Sequence, residues 1–386
     1  METPKKERMA FMLSGGGARA AYQLGVLKYI FTELKCIPAS PIILGTSAGA
    51  INAFFLTLRA HEGLDKAIIQ LCDLWSHLTV NNIYRTDPWS VFKGLGNFLY
   101  NFTLGRFIRE RHTESLLDTT PLYLMLRKAF EDDHHHLHRN IEEGLIQALG
   151  ISAMQYGTAK TVTFFESSPH SGLKEWVRGR REGRQTKLRL KHVLASAAIP
   201  IIFPSVKLEN NYYADGSVRA AAPLSAAIQL GATKILAIHL ARKSREQLKP
   251  LAHYPSVSQI VGMLFNTIFL DALDFDLRVL NRVNHLISLI THIKPNEDLK
   301  KVDVTIVRPS EDLGLLSLPH KKDLPKTLLF LLKGLGPTDK SGADFLSYLL
   351  FDGRYAEILI AEGMKDAHLN REELLRFFSG VALKNP

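Results

Sequence analysis

Two cysteines in 386 residues, Cys36 and Cys72, leave no material for a disulfide framework and suit a chain that folds in a reducing compartment. Both stand in helical-looking text and are expected as small core residues. Long apolar runs are scarce as well. The most extended uncharged apolar stretch, residues 257–270, falls short of the roughly 20 residues that a bilayer core requires, so no transmembrane helix is expected. The N-terminal text METPKKERMAFMLSGGG has basic residues and a short apolar run, but it meets glycines instead of a cleavage-like site, and no secretory signal is expected. No internal repeat or low-complexity tract marks a solenoid. Acidic residues are outnumbered: 48 Lys and Arg face 38 Asp and Glu, a formal charge of +10 that favours anionic partners.

What is present is ordinary globular text, 46% apolar and 22% charged, long enough for one large domain with an appendage. Residues 8–13 form a short apolar run closed by Ser14-Gly15-Gly16-Gly17, and residues 18–34 place Leu24, Leu27, Tyr29 and Ile30 at roughly helical spacing. Residues 41–44 repeat the strand pattern, Gly45 closes it, and residues 48–59 resume a helix. Strands alternating with helices imply a parallel sheet covered on both faces. From 64 to about 149 the text reads as mostly helical. Strand-like text returns at 161–165, 193–206, 212–213 and 234–240, with a short helix at 223–230. Past residue 241 a charged linker, a helical run over 257–289, one strand at 304–307 and Leu-rich helices follow, with a soft boundary near 245.

Chemistry concentrates in three places. Gly45-Thr46-Ser47-Ala48-Gly49 is a G-x-S-x-G between an expected strand and an expected helix, the context in which a sharp turn lifts the serine oxygen out of the sheet and glycines relieve the crowding. Ser47 would also face a helix N-terminus, where the dipole favours developing negative charge; the bland reading is an N-cap serine in a glycine-rich turn. Gly15, Gly16, Gly17, Ala18 and Arg19 end the first strand and open the first helix, and consecutive glycines let their N–H groups converge on one oxyanion. Arg19 would fix this loop or assist the anion. Asp215-Gly216-Ser217 follows the strand with Tyr212 and Tyr213, and a carboxylate in a tight turn there can accept a serine proton; alone, Asp-Gly is an everyday turn signal.

Competing readings are weaker. Gly15-x-Gly17-x-x-Ala20 fits a dinucleotide fingerprint, but no carboxylate ends the second strand, where Gly45-Thr46-Ser47 stands instead. An α/β-hydrolase triad needs a late histidine, and His239, His253, His285, His292 and His320 all lack a turn with small neighbours. The run Asp132-Asp133-His134-His135-His136-Leu137-His138 points its side chains in different directions and reads as a solvated polar segment, so no metal is expected. The basic run Arg178 to Arg184, with Lys187, Arg189 and Lys191, reads as a solvated hairpin, with adsorption to anionic headgroups as its functional alternative. No aromatic-basic interleaving points to nucleic acid. The stretch 260–276, with Leu264, Phe265, Ile268, Phe269, Leu270, Leu273 and Phe275, reads as a core or interface helix.

Taken in this order, the Gly-rich loop with its basic residue, G-x-S-x-G and Asp-Gly resemble the patatin-like phospholipase family over roughly residues 9–240. Ala195-Ser196-Ala197-Ala198-Ile199-Pro200 looks like the family's segment upstream of the aspartate, and the text around 346–361 is similar to the C-terminal region of bacterial members. Ala20 replaces the glycine that usually ends the loop, and Ser217 the Gly or Ala that usually follows Asp-Gly. The resemblance implies a three-layer α/β domain over 9–240 with a mostly parallel central sheet, followed by a mainly helical extension over 241–386. It implies Ser47 as nucleophile, Asp215 as its partner in a dyad, residues 15–19 as the oxyanion loop, and Gly45, Gly49 and Gly216 as motif support. The expected activity is hydrolysis of lipid carboxylic esters, without metal or organic cofactor, in a cytoplasmic protein that contacts anionic membrane peripherally. A lipid-binding protein that keeps the fold without turnover is the alternative.

Overall fold

The computed structural model describes residues 7–90, 93–94, 96, 100, 115–130, 134–219, 223–242, 254–289, 300–334 and 342–384. Its centre is a mixed sheet. Strands β1 (Met9–Leu13), β2 (Ile42–Thr46), β3 (Ala148–Gln155), β4 (Lys160–Ser167), β5 (Trp176–Arg178), β6 (Arg181–Gln185), β7 (Val206–Leu208), β8 (Asn211–Asp215), β9 (Lys234–Ile238) and β10 (Asp303–Val307) form it, eight of them in the order β10-β9-β1-β2-β3-β4-β6-β5 and the β7/β8 hairpin attached through β8 to β3. The stretch from β10 to β3 is parallel throughout, and β4 then joins β3 antiparallel. Parallel strands with helices on both faces are buried on both, which is why β1 (MAFML) and most of β9 (KILAI) read as continuous apolar runs.

The first helix keeps the expected extent but changes pitch: a 3₁₀ turn at Gly17–Ala20, α1 at Ala21–Lys28, and a wider π turn at Tyr29–Glu33. Together with α2 (Ala48–Leu58) and α3 (Leu64–Ser76) it covers one face of the sheet. The helices Pro223–Gln229 and Val257–Leu289 cover the other, where Leu224, Leu230, Leu273 and Leu280 meet Met12, Ile42, Leu44 and Ile235.

Two expectations require correction. Residues 193–206 are not a strand, because Leu190–Ser196 is helical with Val193 and Ala195 in the core. An apolar run of this length fits either state, and its Leu, Lys and Ala content favours the helix. The strand β3 begins at the end of text that reads as helical, since Ala-Leu-Gly-Ile-Ser-Ala-Met-Gln is poor in β-branched residues; pairing on both sides, with β2 and β4, overrides that preference.

The described residues past 241 are packed into the same fold. Strand β10 extends the sheet beside β9, and the helix Gly353–Leu369 lies against α1, where Tyr22 donates to Asp366 at 2.9 Å. Of the apolar residues expected on the 257–289 helix, Phe265, Phe269, Leu270 and Leu273 are buried, whereas Leu264 and Phe275 are exposed. Among the described residues no helix is long and apolar enough to cross a membrane.

Candidate active site

Parallel strands aim their C-terminal ends at one edge of the sheet, and the turns leaving β1 and β2 meet there. Ser47 follows β2 directly and precedes α2, with φ 56° and ψ −129°. A non-glycine residue in that conformation is strained, and strain of this kind persists only where surrounding contacts hold it. The holding contact is specific: the Ser47 N–H donates to Ser196 Oγ at 2.9 Å, and Ser196 in turn donates to the Ser152 carbonyl at 2.6 Å. Gly45 and Gly49 allow the turn to close. A Cβ on Gly45 would strike the Gly49 carbonyl, and one on Gly49 would strike the Leu13 carbonyl.

Asp215 arrives from a different direction. The hairpin β7/β8 folds back so that β8 runs antiparallel to the far half of β3, with Asp215 opposite Ala153. Thr46 pairs with Ser152, one residue away on the same strand. Chain positions 168 residues apart are thereby brought to neighbouring rungs of one sheet. Asp215 is fully buried, its N–H donates to the Ala198 carbonyl, and its Oδ1 accepts from the Ser217 N–H at 2.8 Å. Burial pushes its carboxyl up from 3.8 to about 6, opposed by the Ser47 hydroxyl and by Ser217. Oδ2 makes no hydrogen bond of normal geometry, so it is open to take a proton from the neighbouring serine.

The glycine loop lies on the other side of Ser47. Gly17 has φ 56°, and a Cβ there would meet the Tyr348 carbonyl; a Cβ on Gly15 would meet both Ser47 and Ser217. Among the described residues no protein acceptor takes the N–H groups of Gly15, Gly16 or Gly17. These donors can therefore serve an oxyanion beside Ser47, while the N–H of Ser47 itself is already engaged by Ser196. Behind the loop a buried polar chain locks the first three helices: Gln23 donates to the Ser14 carbonyl, Asn52 to Gln23, and Trp75 to Asn52.

Arg19 points away from the site. Its guanidinium is 2.7 Å from Asp344 Oδ1, donates to Ser347 Oγ at 2.7 Å, and stacks over the Tyr348 ring at 4.2 Å. It ties the loop to the helix Ala343–Leu349. Of the residues singled out in the sequence, Gly15, Gly16, Gly17, Ser47, Asp215 and Gly216 converge, Ala18 is buried at the start of the 3₁₀ turn, and Arg19 acts from outside. Nothing in the local text around Ser196 marks its grip on Ser47, which depends on a contact 149 residues apart in the chain.

Beside Ser47 a narrow apolar cleft, partly open to solvent, runs between Ile51, Leu74, Leu78, Met125, Phe203 and Phe351. Of the late histidines among the described residues, His239 is buried just past β9, His285 lies on the 257–289 helix, and His320 lies in a short 3₁₀ turn at Leu318–Asp323. His253 and His292 lie outside the described residues, as do Asp132 and Asp133. His138 bonds Glu166 at 2.8 Å, and among the described residues no three metal-ligating side chains cluster. The basic run forms the β5/β6 hairpin: Arg178, Arg180, Lys187, Arg189 and Lys191 are exposed, whereas Arg184 pairs with Glu182 and Tyr213.

The sheet, with a strained serine turn and an aspartate opposed across neighbouring strands, places the chain among α/β proteins with a mostly parallel central sheet. The sequence pattern of the patatin-like phospholipase family matches residues 11–228, more than half of the chain. The chain belongs to that family, and membership implies a lipid acyl hydrolase. Among solved structures it is similar to VipD from Legionella pneumophila, at 12% identity over 98% of this chain and 68% of that one, with a TM-score of 0.34. No curated protein matches it.

Proposed function

We propose that the protein hydrolyses carboxylic esters of lipids through a Ser47–Asp215 dyad. The observation that carries this reading is the juxtaposition of a strained, buried Ser47 with a buried carboxylate on one side and three unspent backbone donors on the other. Ser47 Oγ attacks the ester carbonyl carbon as Asp215 takes its proton, and the N–H groups of Gly15 to Gly17 hold the oxyanion. Collapse expels the alcohol, which recovers the proton from Asp215. Water, deprotonated by Asp215, then attacks the acyl-enzyme and releases the fatty acid, and Ser47 regains its proton. One oxyanion donor is worth about 10²–10³ in turnover.

In this reading the acyl chain enters the narrow cleft beside Ser47, whose lining is almost wholly apolar. Residues 9–240 carry the chemistry in this reading, and residues 241–386 buttress it through the Asp344 grip on Arg19. Contact with anionic membrane would run through the exposed Arg178, Arg180, Lys187, Arg189 and Lys191, each of which near such a surface contributes about 1 kcal/mol. Hydrolysis of a short-chain nitrophenyl ester tests the core of the proposal. Ser47→Ala should abolish it with an unchanged circular dichroism spectrum, and full activity in that variant would refute the dyad.

A further inference from the structure

The grip of Asp344 on Arg19 is half of a larger arrangement, and the other half comes from the 257–289 helix. Asn266 on that helix spends both ends of its amide on one cluster. Its Nδ2 donates to Asp344 Oδ2 at 2.8 Å, which leaves Oδ1 of that carboxylate to Arg19, and its Oδ1 accepts from the Tyr348 hydroxyl at 2.9 Å. Arg19 is 3% exposed, and its Nη1 lies 3.5 Å from Asn266 Oδ1 and 3.4 Å from the Tyr348 hydroxyl. Asn266 thus orients both side chains that hold the guanidinium, the carboxylate beside it and the ring beneath it.

The same parts reach the glycine loop itself. The Tyr348 carbonyl stands where a Cβ on Gly17 would strike it. The Tyr348 ring stacks on Phe269 with centroids 5.2 Å apart, and the edge of Phe269, less than one helical turn past Asn266, lies 3.2 Å from where a Cβ on Gly15 would sit. A run of glycines has wide backbone freedom, whereas an oxyanion donor works only when it is held within about 0.5 Å of its productive position. Something outside the loop must therefore fix its aim. We propose that Asn266 is a positioning residue for the oxyanion loop: through Asp344 and Tyr348 it fixes Arg19 and the backing of Gly17, and so sets the aim of the Gly15 to Gly17 N–H groups. The proposal rests on the hydrolase reading for what the loop does, but not for how the loop is held. Asn266, Asp344 and Tyr348 all lie beyond residues 11–228, so the segment that matches the family does not by itself complete the site.

The test uses the full chain. Asn266→Leu removes both hydrogen bonds at nearly constant volume. It should lower kcat on a butanoyl nitrophenyl ester by about tenfold or more, part of what one oxyanion donor contributes, with KM within about twofold of the wild type. The fall should be much smaller on the matching thionoester, whose sulfur accepts hydrogen bonds poorly, so the ester-to-thionoester ratio of kcat drops. A merely structural role would lower both rates alike. Asn266→Gln, which keeps the amide, should recover part of the ratio. Tyr348→Phe keeps the ring over Arg19 and removes only the hydroxyl; it should lower the ratio in the same sense, and it carries the test if the Leu variant does not fold. Hydrogen exchange gives a readout without turnover: peptides over residues 14–20 should exchange faster in Asn266→Leu and Tyr348→Phe, while those over 48–58 match the wild type. An ester-to-thionoester ratio within about twofold of the wild type in the folded variants, or unchanged exchange over 14–20, would overturn the proposal. A wild type that turns over neither ester, with exchange over 14–20 still dependent on Asn266, would strike the hydrolase reading alone.

Discussion

Replacing Asp215 by Asn should make the protein more stable and nearly inactive at once. The carboxyl is fully buried and titrates near 6 where an unfolded chain would give about 3.8, so the folded state disfavours its charge. At 1.36 kcal/mol per tenfold change in proton affinity, that is about 3 kcal/mol of destabilisation at pH 7. The sign follows from which state binds more protons. Below pH 4 both states are protonated and nothing is lost; between pH 4 and 6 the folded state holds the extra proton, and stability declines as pH rises through that window, reaching its full loss above 6. Asn keeps an oxygen for the Ser217 N–H and removes the charge. Urea unfolding should therefore show the variant more stable by up to about 3 kcal/mol at pH 7 and by about half of that at pH 5. Wild-type kcat/KM on a soluble ester should fall on the acid side of pH 6, and the variant should lose a factor of about 10² or more, the scale on which a positioned base contributes. An Asn variant no more stable than wild type at pH 7, or a gap that does not narrow at pH 5, would refute the reasoning about burial.

Ser196→Ala removes the acceptor of the strained Ser47 N–H and should cost about 1–3 kcal/mol in unfolding free energy, with a matching fall in kcat, measured by denaturation and ester hydrolysis. Leu74→Trp should fill the apolar cleft, so that rates on dodecanoyl esters fall by about tenfold or more against butanoyl esters; equal losses on both would remove the cleft as the acyl site. Reversing Arg178, Arg180 and Lys187 to Glu should erase any preference for anionic over neutral vesicles in a flotation assay at low salt, and physiological salt, with a screening length of about 8 Å, should weaken the preference of the wild type.

The strand-turn-helix units around Gly15 to Arg19 and Gly45 to Gly49 could be read from the text because their signals are local: a short apolar run, then glycines, then helical spacing. Asp215 is harder to place from sequence. Its approach to Ser47 depends on β8 pairing antiparallel with β3, and β3 itself has helix-favouring text that only its neighbours convert to a strand. Ser196 and the Arg19–Asp344 pair span 149 and 325 residues, and nothing within either segment names its partner. The soft boundary near 245 reflects a real change of composition, yet β10 returns to the sheet beyond it, because a single exposed edge strand such as β9 is completed by whichever apolar segment can reach it. Ala20 and Ser217 depart from the usual pattern at positions that the packing explains in part: Ala20 is wholly buried in the 3₁₀ turn, and Ser217 is buried with its N–H donating to Asp215 Oδ1.

The central claim is that Ser47 is the nucleophile of this site. Treatment of the purified full chain with a fluorophosphonate probe, followed by peptide mapping, tests it most directly. The account predicts one phosphonylated serine, Ser47, with labelling lost in Ser47→Ala and slowed in Asp215→Asn. Labelling that persists in Ser47→Ala, or that maps to another serine in the wild type, would contradict it.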